Sequence, residues 1–580
     1  MRMYHKSTQA IDDRSRVRVV AIFFLVLAIW IVVRLFMLQI VQHDYYALFA
    51  LNSHEIYQRL HPDRGRIYFK DSRTKIEYPA AVNKEFFIVY ANPREISPEE
   101  TATTSVQVGA LLGQTPEEQK TTLAKLSNHS DSYAVIAKKV PSDVADRLTA
   151  ATLKGIYATG VSMRYYPEGA LAGAVLGFTG SDSAGNIVGR YGIEGYWEKK
   201  LAGKGGFTMG EKGALGSWIS LADRTTVPSE NGADLVLTID RAVESAACER
   251  LRQGLKDYNA KSAALVLMNP KTGAILAMCS LPDYDPNNYS KADDLSVYNN
   301  TAIFTAYEPG SVFKAFTMGA GLDLGLVTPN TTYTDPCERI INGFHVRNAM
   351  QSCYGEQTMT EVLEKSINTG AVWVEEKVGA DKFRQYIEKF GFGDKTGIAL
   401  NTEVSGDVSS LKKKGEIFGA NGSFGQGLTA TALQVAAGYA AIANGGKLMK
   451  PYVVDQVRYP GGEKETATPM VVEQVISEHA AKLLGAMLVS VVENHYKAAK
   501  INTYYVVGKT GTAQIAERGV YSDNRTNHTF AGFAPAADPA LVLVVKYEEP
   551  ERKWAEQTAL PVFKDVMQFA LNYYAIPGDR

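Results

Sequence analysis

The sequence predicts an α+β multidomain protein: an N-terminal transmembrane helix, a mixed α/β domain, and a larger C-terminal domain with an antiparallel sheet flanked by helices. Three observations carry that prediction. Residues 17–41 form a nearly unbroken apolar run; Asn231-Gly232 gives a turn signal just before a strand-like stretch; and residues 232–580 place strands at both ends with helices between them. The length of 580 residues allows about two to four domains. With 61 Lys and Arg against 62 Asp and Glu, the net charge of −1 offers no electrostatic footprint for nucleic acid, and none is expected as a partner.

The apolar run is long enough to cross a bilayer, with Arg34 its one clear exception. Arg2, Lys6, Arg14 and Arg16 precede it and Arg18 stands at its very start, whereas the residues just after it, through Asn52, carry no lysine or arginine. The positive-inside rule therefore places residues 1–16 in the cytoplasm and the main mass outside it. A cleaved signal peptide would have a shorter apolar core beside a small-residue cleavage site, so an uncleaved single-pass anchor in the cell membrane is expected. Arg34 is left to snorkel to the outer interface or to meet a partner helix. From 42 to 231 short extended runs alternate with charged helical stretches at 116–128 and 141–153, and glycine clusters at 203–206 and 210–216 predict loops. The remaining domain, 232–580, opens with a strand at 234–239 and a helix over 241–255. Two strands then flank the turn Asn269-Pro270-Lys271-Thr272-Gly273, a helical middle follows, and late strands at 504–513, 530–534 and 541–547 lead into a final helix over 555–574.

The chemistry lies in three short patterns in order: Ser311-Val312-Phe313-Lys314, Ser366-Ile367-Asn368 and Lys509-Thr510-Gly511-Thr512. A serine and a lysine three residues apart stand one helical turn from each other, so the amine can take the hydroxyl proton. Each pattern also occurs elsewhere. Ser-x-x-Lys recurs from Ser72, Ser409 and Ser410, Ser-x-Asn from Ser229 and Ser522, and Lys-Thr-Gly at Lys271 and Lys395. Setting separates them: the duplicates sit in polar runs and turns, Ser522-Asp523-Asn524 reading as a loop. By contrast Ser311 is followed by Val312, Phe313, Ala315, Phe316 and Met318, an apolar helix whose N-terminal dipole favours developing negative charge. Apolar neighbours also disfavour the Lys314 ammonium and lower its pKa toward that of a base. A plain N-cap serine with a snorkelling lysine is the blander reading of the first pattern alone, and the ordered trio outweighs it. No metal or cofactor site is predicted. The four cysteines contain no Cys-x-x-Cys, His54-Glu55 has no second histidine at metalloprotease spacing, and there is no Gly-x-Ser-x-Gly elbow. Cys337 and Cys353 bracket a short segment on the outer side, where a disulfide and two free thiols both stay open.

With these patterns the chain resembles a class B penicillin-binding protein, a monofunctional serine D,D-transpeptidase of peptidoglycan synthesis. The resemblance spans nearly the whole chain. It includes Arg34-Leu35 with Leu38-Gln39, Arg64-Gly65-Arg66-Ile67, Arg164-Tyr165-Tyr166-Pro167 and Gly192-Ile193-Glu194-Gly195. Further on it takes in Asn269-Pro270-Lys271-Thr272-Gly273, Tyr307-Glu308-Pro309-Gly310-Ser311, Phe424-Gly425-Gln426-Gly427 and Gly532-Phe533-Ala534-Pro535. Asn299-Asn300-Thr301-Ala302 departs from the family's Asn-Arg-Ala, removing an arginine from that place. The resemblance implies residues 42–231 as a pedestal and 232–580 as the transpeptidase domain.

It also implies Ser311 as nucleophile, Lys314 as base, Ser366 as proton relay, Asn368 on the donor peptide's amide, and Lys509 with Thr510 and Thr512 on the terminal carboxylate. Gly511 would leave room for close backbone approach. The implied substrates are stem peptides ending in D-Ala-D-Ala, with β-lactams as covalent acylating agents. The implied partners are a polytopic lipid II-polymerising glycosyltransferase and other divisome-type membrane proteins. Tyr307-Glu308-Pro309-Gly310 and the lack of extra C-terminal modules resemble division-type or sporulation-type members more than elongation-type ones. A membrane-anchored β-lactamase or β-lactam sensor, and a non-catalytic scaffold of wall synthesis, are the alternatives.

Overall fold

The structure is a computed structural model that describes residues 13–41, 55–183, 185–211, 225–517 and 520–580. The predicted basic tail up to residue 12, the start of the pedestal at 42–54 and the glycine cluster at 212–216 lie outside the described residues. The chain forms two compact units, Met1–Pro62 with Lys204–Glu230, and Asp63–Gly203 with Asn231–Arg580.

In the first unit a helix over Asp13–Phe36 continues into a π turn at Met37–Val41. Its stretch Val20–Val41 is 22 residues long with a mean hydropathy of 2.8, enough to span a bilayer as a single helix. Strands Glu55–Leu60, Gly206–Glu211 and Thr225–Val227 form a small antiparallel sheet. The loop predicted around Gly206 and Gly210 is thus a strand. Its glycine has a packing reason, since a Cβ on Gly206 would lie 2.2 Å from the Val227 carbonyl oxygen.

The second unit holds two larger sheets. One has five antiparallel strands in the spatial order Ile275–Leu281, Ser262–Met268, Leu541–Glu548, Val520–Ala534 and Val507–Glu517. Helix Ala432–Ala443 packs across this sheet, while helices Arg241–Asp257 and Ala559–Tyr573 pack against it and each other. Both faces being covered, the central strands read as unbroken apolar runs such as Leu265, Val266, Leu267 and Val542 to Val545, all with zero exposure. The helix boundaries follow capping chemistry: Asp240 caps the first helix, and Thr431 with Gln434 forms a capping box. The hairpin between the last two strands of the order is longer than predicted. Ser522-Asp523-Asn524 lies within strand Val520–Ala534, where Gln514 pairs with Thr526 and Ala516 with Tyr521, rather than in a loop. That part of the ribbon pairs on one side only, as the third strand joins at Asn527, so its polar sequence imitates a loop.

The other large sheet has seven strands and takes them from both sides of residue 231. Strand Asp234–Asp240 lies between Ile67–Lys70, paired parallel, and Val454–Arg458, paired antiparallel. Beside it Glu194 is fully buried and accepts hydrogen bonds from Arg164 Nε at 2.6 Å and Arg64 Nε at 2.7 Å, with the Tyr166 hydroxyl at 3.3 Å. A Cβ on Gly65 would lie 1.9 Å from the Ala233 carbonyl oxygen. The three signatures that hold Arg64 and Gly65, Arg164, and Glu194 therefore converge on one buried ion cluster at this sheet. Cys337 is disulfide-bonded to Cys353, and a second bond that the sequence did not single out joins Cys248 on a helix to Cys279 on the neighbouring strand.

Candidate active site

Ser311 lies in a 3-10 turn, Gly310–Phe313, that runs directly into helix Lys314–Asp323. The turn is wedged tightly. Gly310 has a φ of +62° and donates its N–H to the Gly425 carbonyl at 3.0 Å, and Gly425, with φ +79°, approaches so closely that a Cβ there would lie 2.2 Å from the Gly310 oxygen. A glycine is needed at both positions. Upstream, Tyr307 exchanges backbone hydrogen bonds with Ala430, and Glu308 accepts from Gly427 N–H at 3.0 Å. The Phe424-Gly425-Gln426-Gly427 loop thus clamps the serine turn.

Ser366 follows helix Met359–Glu364 with a φ of +54°. Ile367 N–H bonds back to the Val362 carbonyl at 2.9 Å and Ser366 N–H to Leu363 at 3.3 Å, the double bond of a left-handed helix C-terminus. A non-glycine residue there costs about 1–2 kcal/mol. The sharp reversal lets Asn368 open the next helix, Asn368–Val378, while Ser366 projects at the junction. Lys509 to Thr512 lie on the edge strand Val507–Glu517, and a Cβ on Gly511 would come within 2.5 Å of the Pro309 carbonyl oxygen. The room that glycine leaves is filled by the serine turn.

These three elements meet through two buried amines. Lys314, 1% exposed, places Nζ 2.5 Å from the Ser366 carbonyl oxygen, 3.1 Å from Ser366 Oγ and 2.7 Å from Asn368 Oδ1. Lys509, with zero exposure, donates to the same Ser366 Oγ at 3.1 Å. One hydroxyl therefore bridges both lysines. Among the described residues none hydrogen-bonds the Ser311 hydroxyl, which is partly buried at the head of its helix. Burial, reinforced by the charge of Lys509, holds the Lys314 amine well below its ordinary 10.5. Burial likewise pushes Lys509 down to about 7, with the carboxylate of Glu556 acting against it. Two ammonium ions in so small a space repel, so the arrangement favours one neutral amine beside one charged one.

The predicted carboxylate binders are engaged within the protein. The Thr510 hydroxyl donates to the Tyr496 phenol at 2.7 Å, and Thr512 Oγ1 accepts from Ala555 N–H at 3.1 Å. Asn368 uses its amide too, donating Nδ2 to the Arg347 carbonyl at 2.8 Å.

The sequence matches the family model described as "Penicillin binding protein transpeptidase domain" over residues 263–568 and the one described as "Penicillin-binding Protein dimerisation domain" over 59–237. The chain belongs to the class B penicillin-binding proteins. Over 571 residues it is 33% identical to "Stage V sporulation protein D" of Bacillus subtilis, covering 96% of this chain and 85% of that one. Over 529 residues it is 29% identical to "Peptidoglycan D,D-transpeptidase FtsI" of Escherichia coli, covering 90% and 85%. The fold matches the crystal structure of penicillin-binding protein 3 from Mycobacterium tuberculosis complexed with aztreonam, with a TM-score of 0.68 at 24% identity, over 90% of this chain and 98% of that one.

Several residues of this penicillin-binding protein that support the site escaped sequence reasoning. Tyr496 contacts both Lys509 and Thr510. Asp335 accepts from Asn348 Nδ2, Tyr354 N–H and Thr369 Oγ1, and Asn348 Oδ1 in turn accepts from the Asn368 and Thr369 N–H groups. This network, in which Asn348 lies between the disulfide-bonded Cys337 and Cys353, fixes the start of the Asn368 helix. Where the family places an arginine, Asn300 instead caps the short helix Thr301–Phe304 by accepting from Ala302 N–H at 3.0 Å. A helix cap thus stands in the place of the family's arginine.

Proposed function

We propose that this class B penicillin-binding protein cross-links peptidoglycan by serine acyl transfer, with Ser311 as its nucleophile. The observation that carries the reading is the single Ser366 hydroxyl shared by Lys314 and Lys509 beside an otherwise free Ser311. A neutral Lys314 has a lone pair to receive the Ser311 proton as Oγ attacks the carbonyl between the two terminal D-alanines. The backbone N–H groups of Ser311 and Thr512 serve as oxyanion donors, each worth about 10²–10³ in rate. Ser366, reached by Lys509 on one side and Lys314 on the other, passes the proton to the departing D-alanine amine. Lys509, with Thr510 and Thr512, holds the terminal carboxylate by charge-assisted bonds. Asn368 orients the donor amide, and Gly511 lets strand and serine turn close up. An acceptor amine then displaces Ser311 and forms the cross-link, while a β-lactam leaves the serine acylated.

The apolar N-terminal helix supports a single-pass membrane anchor. We place its N-terminal tail in the cytoplasm and the transpeptidase domain, residues 232–580, outside with its pedestal at 42–231. The likeness to a sporulation protein and to FtsI supports work beside a polytopic lipid II-polymerising glycosyltransferase and divisome-type proteins. Covalent labelling by fluorescent penicillin tests the reading: it is expected to vanish in Ser311→Ala with the fold intact. Labelling that persists in that variant overturns the assignment, and steady turnover of penicillin by the natural chain would favour a β-lactamase instead.

A further inference from the structure

One aromatic residue outside the three short motifs touches two residues of the third, Lys509 and Thr510. Tyr496 follows a π turn, Val491–His495, and is 4% exposed. Its phenol oxygen lies 2.7 Å from Thr510 Oγ1 and 3.4 Å from Lys509 Nζ, and the Lys509 amine sits 5.3 Å from its ring centroid. The ring is held edge-on by Phe530 and His495, at centroid distances of 6.5 and 4.7 Å. The phenol accepts from both neighbours, and among the described residues its own O–H meets no acceptor beyond that pair.

We propose that Tyr496 is a positioning residue for recognition of the substrate's terminal carboxylate, acting through Thr510 and Lys509. This rests on the transpeptidase reading above. In the structure Thr510 spends its only hydroxyl proton on the phenol. A carboxylate entering beside Lys509 makes the opposite direction favourable: the phenol donates its proton to Thr510 Oγ1, and the Thr510 hydroxyl turns to donate to the anion. One rotation of two hydroxyls thus converts a satisfied pair into an anion donor, without moving the strand. Burial keeps the phenol protonated, so that donor persists at neutral pH. The other charged or titratable groups acting on Lys509 and Tyr496 are Lys314, Glu556, Tyr354 and His495, the last held neutral by burial.

The test uses the full-length protein in detergent and compares two acylating agents that differ at the carboxylate, benzylpenicillin and its methyl ester. In the natural chain the free acid should acylate far faster than the ester. Tyr496→Phe, which removes one oxygen and keeps the ring, should lower the acid-to-ester ratio of second-order acylation rates about tenfold, the scale of one lost hydrogen bond to a charged group. Thr510→Val should lower the ratio similarly, and the double variant should fall no further, because both substitutions break one chain. An unchanged ratio in Tyr496→Phe, even with both rates reduced equally, overturns the proposal and leaves the residue a purely structural role. Failure of the natural chain to acylate with either compound would instead overturn the transpeptidase reading itself.

Discussion

At the scale of single residues the site is governed by how two buried lysines share their protons. In the proposed mechanism acylation needs Lys314 neutral and Lys509 charged. With Lys509 pushed down to about 7, the population with a charged carboxylate binder falls as pH rises through 7, while Lys314 already lies well below its ordinary value. The second-order rate of acylation by benzylpenicillin, which reports the free enzyme, is therefore expected to fall above pH 7 by up to about tenfold per unit. In Lys509→Arg, whose guanidinium stays charged, that falling limb should disappear even if the rate is lower. Stopped-flow acylation across pH 5–9 checks both. Ser311, Lys314 and Lys509 stood out in sequence as members of short ordered motifs, although the Ser366 hydroxyl that joins the two lysines lies 52 and 143 residues from them. Tyr496 and Asp335 were not, since they meet Thr510 and Thr369 across 14 and 34 residues and no local pattern announces such a contact.

At the scale of elements, glycines set how closely the serine turn and the edge strand approach. A Cβ at Gly511 would stand 2.5 Å from the Pro309 carbonyl and 3.2 Å from Val312, so Gly511→Ala must push the strand away from Ser311. A displacement of about 1 Å in a catalytic constellation costs about a hundredfold in rate. Gly511→Ala is accordingly expected to acylate about a hundredfold more slowly while its thermal unfolding temperature changes little. Equal rates in the variant would show that the strand has slack. The strand at 262–268, buried on both faces, was readable from its apolar run before the Asn269-Pro270 turn, whereas the capped helix Ala432–Ala443 stayed within an undivided helical stretch. The ribbon over 520–526 was not, because half of its hydrogen bonds face solvent and its side chains are polar.

Across the whole molecule, buried charge fixes the arrangement of the second unit. Glu194 is the only carboxylate that Arg164 reaches among the described residues, and it also holds Arg64. Glu194→Ala would leave two guanidinium groups without that partner, a change that typically costs about 3–5 kcal/mol. A matching drop in thermal or urea stability is expected, together with lost penicillin labelling at 37 °C if unfolded chains accumulate. The family signatures that carried the resemblance were visible as strings of residues. That they meet at one carboxylate was not, because Arg64, Arg164 and Glu194 lie as far as 130 residues apart.

The seven-stranded sheet has a practical consequence for anyone dissecting this protein. Strand Asp234–Asp240 is hydrogen-bonded to Ile67–Lys70 on one side and Val454–Arg458 on the other. A fragment beginning at residue 232 would keep every motif residue yet strip one flank of that strand, baring a row of unpaired backbone groups beside the buried side chains of Leu235 and Leu237. Such an open edge recruits other chains, so the fragment should precipitate or form oligomers where a fragment retaining residues 63–203 stays monodisperse.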